Sequence, residues 1–493
     1  MAHGRKNGLF IRKSVDHVRA ETVNHGLKRS LGPIDLMFLG IGSTIGAGIY
    51  VMTGTAAATF AGPAVLISFV IAGFACAFAA LCYAELASTM PVSGSSYTYA
   101  YATLGEVAAW TMGWLIVLEY GVAGATVAVG FSGYFASLLA DFGVHIPAGL
   151  MTPLVHVANG GMGDVSISGS LNLIAAGVIL LVTVPLLFGV SQSAAVNSLI
   201  VTIKAGILLL FVAIGVNAID PINWVPFIPP NEGGFSYGWP GIFRAASVIF
   251  FAYIGFETVS TAGAEARNPQ RDLPIGILAS LAICTVLYIA MAAVMTGLTS
   301  YTLLGTDEPV VTALHGHPQL EWLRWLVEVG ALLGLSSVVL VMIIAQPRIF
   351  MIMGRDGMLP KVFTRIHPRY RTPHLNTLIT GAGIALLAAI FPLDVLGDLV
   401  SMGTLIAFMA VCAGVWILRH TRPELPRTFR VPFAPVICTL GILSCLALLS
   451  TMAWYNWSLM IVWTLIGLVI YFSYGNRHSH LRAPVADSAA TGP

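Results

Sequence analysis

Charge is scarce in this sequence. Only 9% of its 493 residues are Asp, Glu, Lys or Arg, whereas 57% are hydrophobic. A soluble globular domain carries about 25% charged residues, so the composition excludes an ordinary soluble protein. Long runs with almost no charge are typical of a chain that crosses a membrane several times. The net charge of +2 gives no indication of a nucleic-acid partner.

Patterns for catalysis and metal binding are also missing. The six cysteines form no C-x-x-C pair, and the twelve histidines form no H-E-x-x-H motif. A P-loop is absent as well. We therefore expect no enzyme, no metal site, no cofactor and no disulfide. The cysteines are interpreted as small buried hydrophobic residues.

Apolar runs are what the sequence has in abundance. A membrane-spanning helix needs about 20 residues, and runs of roughly that length recur twelve times. The predicted spans are residues 34–59, 63–86, 104–139, 170–189, 194–217, 241–262, 274–298, 322–350, 375–391, 395–418, 433–452 and 457–474. The sequence thus predicts an all-α integral membrane protein with 12 transmembrane helices.

The positions of Lys and Arg predict the orientation. All but three of the 24 fall in residues 1–33, in alternate loops with their edges, or in the tail; the exceptions are Lys204, Arg244 and Arg324. The positive-inside rule then places both termini in the cytoplasm of a multi-pass protein in the plasma (cytoplasmic or inner) membrane. Arg244 and Arg324 lie near predicted extracellular ends of spans, where we expect them to reach lipid headgroups.

Four glycines interrupt the first predicted span, where residues 40–50 read GIGSTIGAGIY. Each glycine costs a helix about 1 kcal/mol relative to alanine. Bare backbone at membrane depth is tolerated only where it lines protein or a water-filled cavity, so the run predicts an interrupted helix that binds an ion or a substrate. The alternative is close helix packing through Gly42-x-x-x-Gly46.

A second interruption is predicted in the sixth span, where residues 250–260 read FFAYIGFETVS. Paired interruptions at corresponding positions are typical of inverted-repeat transporters. We predict five-helix repeats at 34–217 and 241–418, and two further helices within 433–474. A cytoplasmic basic arm at 1–33 and a cytoplasmic disordered tail at 475–493 complete the predicted organisation.

The two interruptions suit a zwitterion. A half-helix that begins near Ala47 and Gly48 offers free N–H groups to a carboxylate. A half-helix that ends near Phe251 and Ala252 offers carbonyl groups to an ammonium. An α-amino acid carries both groups, so neither contact requires a charged side chain.

Ionisable side chains inside predicted spans are candidates for function. Lys204 stands in the middle of the fifth span, where a lysine costs about 2.5–3.5 kcal/mol on insertion scales. Because burial disfavours its charged form, we favour a proton carrier over a lysine paired with a carboxylate. Glu119 and Glu257 either attract a cationic group of the substrate or make structural hydrogen bonds. Ser336 and Ser337 either bind Na⁺ or bond back to helix carbonyls.

Six segments of the sequence, in order, resemble a known transporter family. They are LGIGSTIGAGIY, YAELASTMPVSGSSYTYAY, FFAYIGFETVSTAGAEARNPQRDLPIGI, GRDGMLP, SMGTLIAF and FRVPFAP. Together they resemble the amino acid–polyamine–organocation transporters, in particular the cationic amino acid transporter branch, over roughly residues 30–475.

The resemblance implies a LeuT-type 5+5 inverted repeat with helices 1 and 6 interrupted, alternating access, and amino acid uptake that is often proton-coupled. Lys204 matches the lysine that occupies the sodium position in proton-coupled relatives, and Glu119 matches a glutamate of this branch. The implied substrate site comprises Thr44, Ile45, Gly46, Ala47, Gly48, Glu119, Phe251, Ala252, Tyr253, Ile254, Glu257 and Val338. The implied proton-coupling set comprises Lys204, Gly42, Ser336 and Ser337.

Three departures from the family pattern keep the substrate open. Ala47 stands where relatives often have a hydroxyl or another small residue, Glu257 where they often have Asp, and Val338 offers no anchor for a guanidinium. Cationic substrates (arginine, lysine, ornithine) and a small neutral one (alanine) both fit. The sequence therefore predicts a secondary transporter of L-amino acids driven by protons; the alternatives are a proton-independent exchanger and a sensor. Its partners would be substrate, protons and the lipid bilayer, and an oligomer or a small membrane partner is compatible with it.

Overall fold

The computed structural model describes residues 11–14, 29–92, 94–157, 164–189, 194–370 and 372–481. Most of the predicted basic arm and the end of the predicted tail, residues 482–493, lie outside the described residues.

Helices make up most of the described chain. The longer ones are α1 Pro33–Thr44, α2 Val65–Thr89, α3 Ser95–Thr103, α4 Glu106–Asp141, α5 Leu173–Leu187, α6 Ala194–Gly215, α7 Gly238–Ile249, α8 Pro269–Leu298, α9 Pro309–Leu314, α10 Glu321–Arg355, α11 His374–Ile390, α12 Leu393–Thr421, α13 Ala434–Leu449 and α14 Trp454–Ile470. Single α-helical turns lie at Thr53–Thr55, Thr258–Thr261 and Asn476–His478, and π-helical segments at Gly48–Met52, Ala56–Ala61 and Tyr471–Gly475. Short 3₁₀ turns lie at Gly62–Ala64, Ala148–Leu150, Val216–Ala218, Pro221–Trp224, Phe250–Tyr253, Tyr301–Leu303, Pro318–Leu320 and Lys361–Thr364.

A small hairpin, which the apolar pattern does not predict, follows α4. Its strands are β1 Val155–Val157 and β2 Val165–Ile167. They pair antiparallel, with Val155 opposite Ile167.

Eight helical segments within the described residues are long and apolar enough to cross a membrane. One of them runs from Gly48 to Thr89 and covers the end of the first predicted span and the whole of the second. Three shorter apolar helices, α5, α11 and α13, lie in the fourth, ninth and eleventh predicted spans. The molecule is thus an all-helical membrane protein apart from the hairpin, and the total of twelve crossings stays a prediction.

The first predicted span is divided into two helical segments. Pro33 fills the first position of α1, and the Asp35 carboxylate accepts a hydrogen bond from the Gly32 N–H at 2.9 Å, which caps this end. α1 ends at Thr44, and a π-helical segment begins at Gly48. We call residues 45–47 the first interruption.

The sixth predicted span is divided as well. α7 ends at Ile249 and tightens into a 3₁₀ turn at Phe250–Tyr253. Gly255 then has φ of +129°, a conformation that side chains with a Cβ rarely adopt. We call residues 254–257 the second interruption.

The packing of the helices brings the two interruptions to the core. α4 lies along α10, α2 lies along α8, and α1 packs against α8 and α6. α4 is mostly buried from Ala109 to Tyr134, whereas the apolar side chains of α14 are largely exposed. The chain therefore places α1, α4, α7 and α10 inside, with α14 on the periphery.

The expectation that Arg244 and Arg324 reach lipid headgroups is wrong, because both side chains are buried in ion pairs. Arg244, with 1% of its side chain exposed, pairs with Asp398 of α12 at 2.5 Å. Arg324 contacts Asp141 of α4 at 2.7 Å and Glu328 at 3.1 Å. A buried charge requires such a partner, and sequence alone does not reveal which distant residue provides it.

Candidate functional site

Residues at and beside the two interruptions touch each other. The Ser43 hydroxyl donates a hydrogen bond to the Gly255 carbonyl oxygen at 3.0 Å. A Cβ on Gly255 would lie 2.6 Å from the Ser43 carbonyl carbon, and one on Gly48 would overlap the Ala252 backbone. Glycine is therefore required at both positions for the two backbones to approach this closely.

A small cavity of about 10 Å³ lies where the interruptions meet. Its lining is formed by Ser43, Thr44, Gly46, Ala47, Gly48, Ala123, Val127, Phe251, Ile254, Val338 and Met342. A space of this size holds about one water molecule. The site is closed in this structure, and it must widen before it can admit anything as large as an amino acid.

The structure brings only part of the implied substrate set to this cavity. The residues of that set in the lining are Thr44, Gly46, Ala47, Gly48, Phe251, Ile254 and Val338. Those outside the lining are Ile45, Ala252, Tyr253, Glu119 and Glu257. The Tyr253 hydroxyl instead donates to the Phe69 carbonyl oxygen at 2.8 Å.

Sequence reasoning missed four lining residues: Ser43, Ala123, Val127 and Met342. Helical spacing was a usable signal for three of them, because residues four apart lie on one face of a helix. Ala123 and Val127 follow Glu119 at this spacing, and Met342 follows Val338. All three are apolar, and they form one wall of the cavity.

Two ends of helical segments lie at the cavity. The first N–H groups of a helix and its last carbonyl groups lack partners within the helix. The π-helical segment begins at Gly48, which lines the cavity, and the 3₁₀ turn that contains Phe251 ends beside it. The start of the π-helical segment and the end of the 3₁₀ turn therefore both lie at the cavity, where the Phe251 carbonyl oxygen accepts a hydrogen bond from the Ile254 N–H at 3.2 Å.

Lys204 of α6 reaches the first interruption. Its side chain is fully buried. The ammonium donates to the Ile45 carbonyl oxygen at 2.9 Å and also contacts the Gly42 carbonyl oxygen. A cation at the carbonyl end of α1 is favourable, because this end carries the negative pole of the helix dipole.

The two glutamates lie behind the cavity lining. Glu257 folds back on its own segment, and its carboxylate accepts a hydrogen bond from the Gly255 N–H at 2.9 Å. Glu119 lies on α4, one helical turn before Ala123 of the cavity lining. Both side chains are buried. The Glu257 contact is a hydrogen bond of the structural kind that the sequence left as one alternative. The attraction of a cationic group of the substrate by either glutamate stays a prediction.

The two serines of α10 bond back to their own helix. The Ser336 hydroxyl donates to the Leu333 carbonyl oxygen at 3.0 Å, and the Ser337 hydroxyl donates to that of Gly334 at 2.7 Å. Both hydroxyls thus make the bonds that serines commonly make inside helices. Lys204 is nearby, because a Cβ on Gly334 would lie 3.5 Å from its Cδ atom.

Comparisons with known proteins agree with this architecture. Residues 31–473 match the family described as Amino acid permease. The chain is 44% identical to the branched-chain amino acid permease BcaP of Bacillus subtilis (strain 168) over 479 residues, which cover 97% of this chain and 99% of the relative. It is 43% identical to the methylthioribose transporter of the same organism (96% and 99% covered) and 40% identical to the vacuolar cationic amino acid transporter 4 of Arabidopsis thaliana (85% and 68% covered).

Proposed function

The chain belongs to the amino acid permease family, and we propose that it carries neutral aliphatic L-amino acids across the membrane by proton-coupled symport. The observation that supports this most is the meeting of two helix interruptions at one cavity. N–H groups at the start of the π-helical segment would bind the substrate carboxylate, and carbonyl groups at the end of the 3₁₀ turn would bind its ammonium. Alternating access between the two faces of the membrane would expose this site to each side in turn.

The apolar wall of the cavity favours a substrate whose side chain is neutral and apolar, in addition to the carboxylate and the ammonium. Ala123, Val127 and Met342 lie on this wall, and no charged side chain of the described residues lines the cavity. Burying a guanidinium or an ammonium without a partner costs several kcal/mol, so arginine and lysine are disfavoured. The relative named as a branched-chain amino acid permease supports the same class.

Lys204 provides the proposed link to protons. Its contacts to the Gly42 and Ile45 carbonyls hold the end of α1. When the ammonium loses its proton, its attraction to these carbonyls weakens, and the end of α1 is freer to move. Protonation would thus favour the arrangement in this structure and deprotonation would favour its release.

The test is uptake of labelled leucine into liposomes that contain the purified protein. We expect an inward proton gradient to drive accumulation by the wild type. Lys204→Ala should accumulate about tenfold less, because the lost charge-assisted contacts are worth about 1.5–3 kcal/mol. Lys361→Ala, which changes an exposed lysine, is the matched control and should behave as the wild type.

Other outcomes would favour other functions. If Lys204→Ala accumulates leucine as the wild type does under the same gradient, the proton role is wrong. Exchange of internal for external leucine without any response to the gradient indicates an exchanger, and binding without flux indicates a sensor. Arginine that competes better than leucine would contradict the proposed substrate class.

A further inference from the structure

A second cavity lies behind the apolar wall of the first. It has a volume of about 120 Å³ and is enclosed by α4, α10, α11 and α14. Val122 and Gln346 face it, whereas Ala123 and Met342 on the same two helices face the first cavity. The two cavities therefore flank the α4–α10 pair from opposite sides.

Two buried polar groups without partners line this second cavity. They are the side-chain oxygen Oε1 of Gln346 and the hydroxyl of Thr380. The residues are 6% and 2% exposed. Almost all buried polar groups in folded proteins have a hydrogen-bond partner, so two unpartnered groups at one cavity indicate that something else binds there.

The hydrogen bonds of Gln346 indicate which kind of ligand group would bind beside it. Its Nε2 amide donates to the Val117 carbonyl oxygen at 3.1 Å, which leaves Oε1 as an acceptor. The Thr380 hydroxyl can both donate and accept. A hydroxyl group has the chemistry that suits both, because it can donate to Gln346 Oε1 and accept from Thr380. A carboxylate has no hydrogen to donate to Gln346.

The remaining wall of the cavity is apolar. Val122, Phe350, Ile384 and Trp463 contribute to it, and no charged side chain of the described residues does. Cavities of about 150 Å³ with such linings hold molecules of the size of benzene. Ile379 also lines the cavity and is 44% exposed on the outer face of α11, so the route to the cavity leads from the lipid side.

We propose that this second cavity binds a small neutral alcohol dissolved in the bilayer, with an apolar body about as large as an aromatic ring. Its hydroxyl would pair with Gln346 and Thr380, and its ring would pack against Ile384 and Trp463. This site is separate from the amino acid site and does not depend on the proposed transport function.

The test uses 4-fluorobenzyl alcohol as the probe and fluorine NMR of the full chain in lipid nanodiscs, with protein-free nanodiscs as the reference for partitioning into lipid. We expect saturable binding that excess benzyl alcohol displaces. Thr380→Val keeps the side-chain shape and removes the hydroxyl, so it should weaken binding about fivefold, the effect of one hydrogen bond. Gln346→Leu should weaken it at least as much.

Thr377→Val is the matched control. Thr377 lies on the same helix, is buried, and bonds to the Pro373 carbonyl outside the cavity. It should bind the alcohol as the wild type does. 4-Fluorotoluene lacks the hydroxyl and forms neither hydrogen bond, so it should bind the wild type about 25-fold more weakly than the alcohol does. Its affinities for the wild type and for Thr380→Val should be equal. Each variant is checked by size-exclusion chromatography before the titration.

Two results would overturn the proposal. One is equal affinity of the alcohol for the wild type and for both Thr380→Val and Gln346→Leu, provided that these variants are folded. The other is the absence of saturable binding to the wild type, which would mean that water alone fills the cavity.

Discussion

The backbone groups at the two interruptions are hydrogen-bonded by side chains of opposite charge, a lysine at the first and a glutamate at the second. At the first interruption, the Lys204 ammonium contacts carbonyl oxygens at the end of α1, and the π-helical segment that follows begins at Gly48 in the cavity lining. At the second interruption, the Glu257 carboxylate accepts a hydrogen bond from the Gly255 N–H, and the preceding 3₁₀ turn contributes Phe251 to the cavity lining.

This difference has a simple electrostatic consequence. At each interruption the protein neutralises one pole of the broken helix with its own side chain, and the pole that is left over has the opposite sign at the two sites. The two remaining poles are complementary to a carboxylate and an ammonium at fixed separation. The comparison thus supports a zwitterionic substrate without any charged residue in the lining.

Two glycines at the first interruption and its edge, Gly46 and Gly48, differ in how they tolerate a side chain, and the largest expected effect tests this difference. A Cβ on Gly48 would overlap the Ala252 backbone, whereas one on Gly46 would lie 3.5 Å from Val338 Cγ2, an ordinary contact. We expect Gly48→Ala to lose about 3 kcal/mol of stability and most of its leucine uptake, because backbone has to move. Thermal unfolding and uptake measure this.

Gly46→Ala is the control for that prediction. It should unfold within about 0.5 kcal/mol of the wild type, since its new methyl group makes only ordinary van der Waals contact with Val338. If Gly48→Ala and Gly46→Ala prove equally stable, the close contact between the two interruptions is not required.

A substitution of Glu257 tests the hydrogen bond that holds the backbone at the second interruption. Glu257→Ala leaves the Gly255 N–H without its carboxylate, which costs about 1.5–3 kcal/mol for a bond to a charged group. We expect the maximal uptake rate to fall about tenfold with little change in KM, because Glu257 does not line the cavity. Initial rates over a range of leucine concentrations measure both quantities.

Glu257→Gln separates charge from hydrogen bonding in the same position. Its amide oxygen still accepts from the Gly255 N–H, so it should fall between the wild type and Glu257→Ala. A large rise in KM with an unchanged maximal rate would show instead that Glu257 contacts the substrate.

The sequence predicted the positions of the helices well because hydropathy is a local property. The third predicted span, 104–139, coincides with α4 at Glu106–Asp141, and the tenth, 395–418, lies within α12 at Leu393–Thr421. The glycines at 42, 46 and 48 also marked the point where the first predicted span divides. Backbone propensity and apolar runs were enough for this, since neither depends on distant contacts.

Contacts between residues far apart in the sequence could not be predicted. Lys204 and Gly42 are 162 residues apart, and Arg244 and Asp398 are 154 apart. Which helices meet depends on packing shape, and a single sequence carries no pattern for it. The cavity lining was predicted only in part: Val338 was found through a family resemblance, whereas Met342 was missed although its helical spacing places it on the same face.

The smallest expected effect concerns a second partner at the end of α1. The buried Tyr288 hydroxyl donates to the Thr44 carbonyl oxygen at 2.9 Å. Tyr288→Phe removes this one bond, so we expect a loss of about 1 kcal/mol of stability and a rate of uptake about fivefold lower, the factor that corresponds to this energy. Tyr253→Phe removes a similar bond, to Phe69, which points away from the cavity. It should cost the same stability and leave the rate unchanged. Equal rates for the two variants would mean that the carbonyl end of α1 does not need Tyr288 in addition to Lys204, and that the cation alone organises the first interruption.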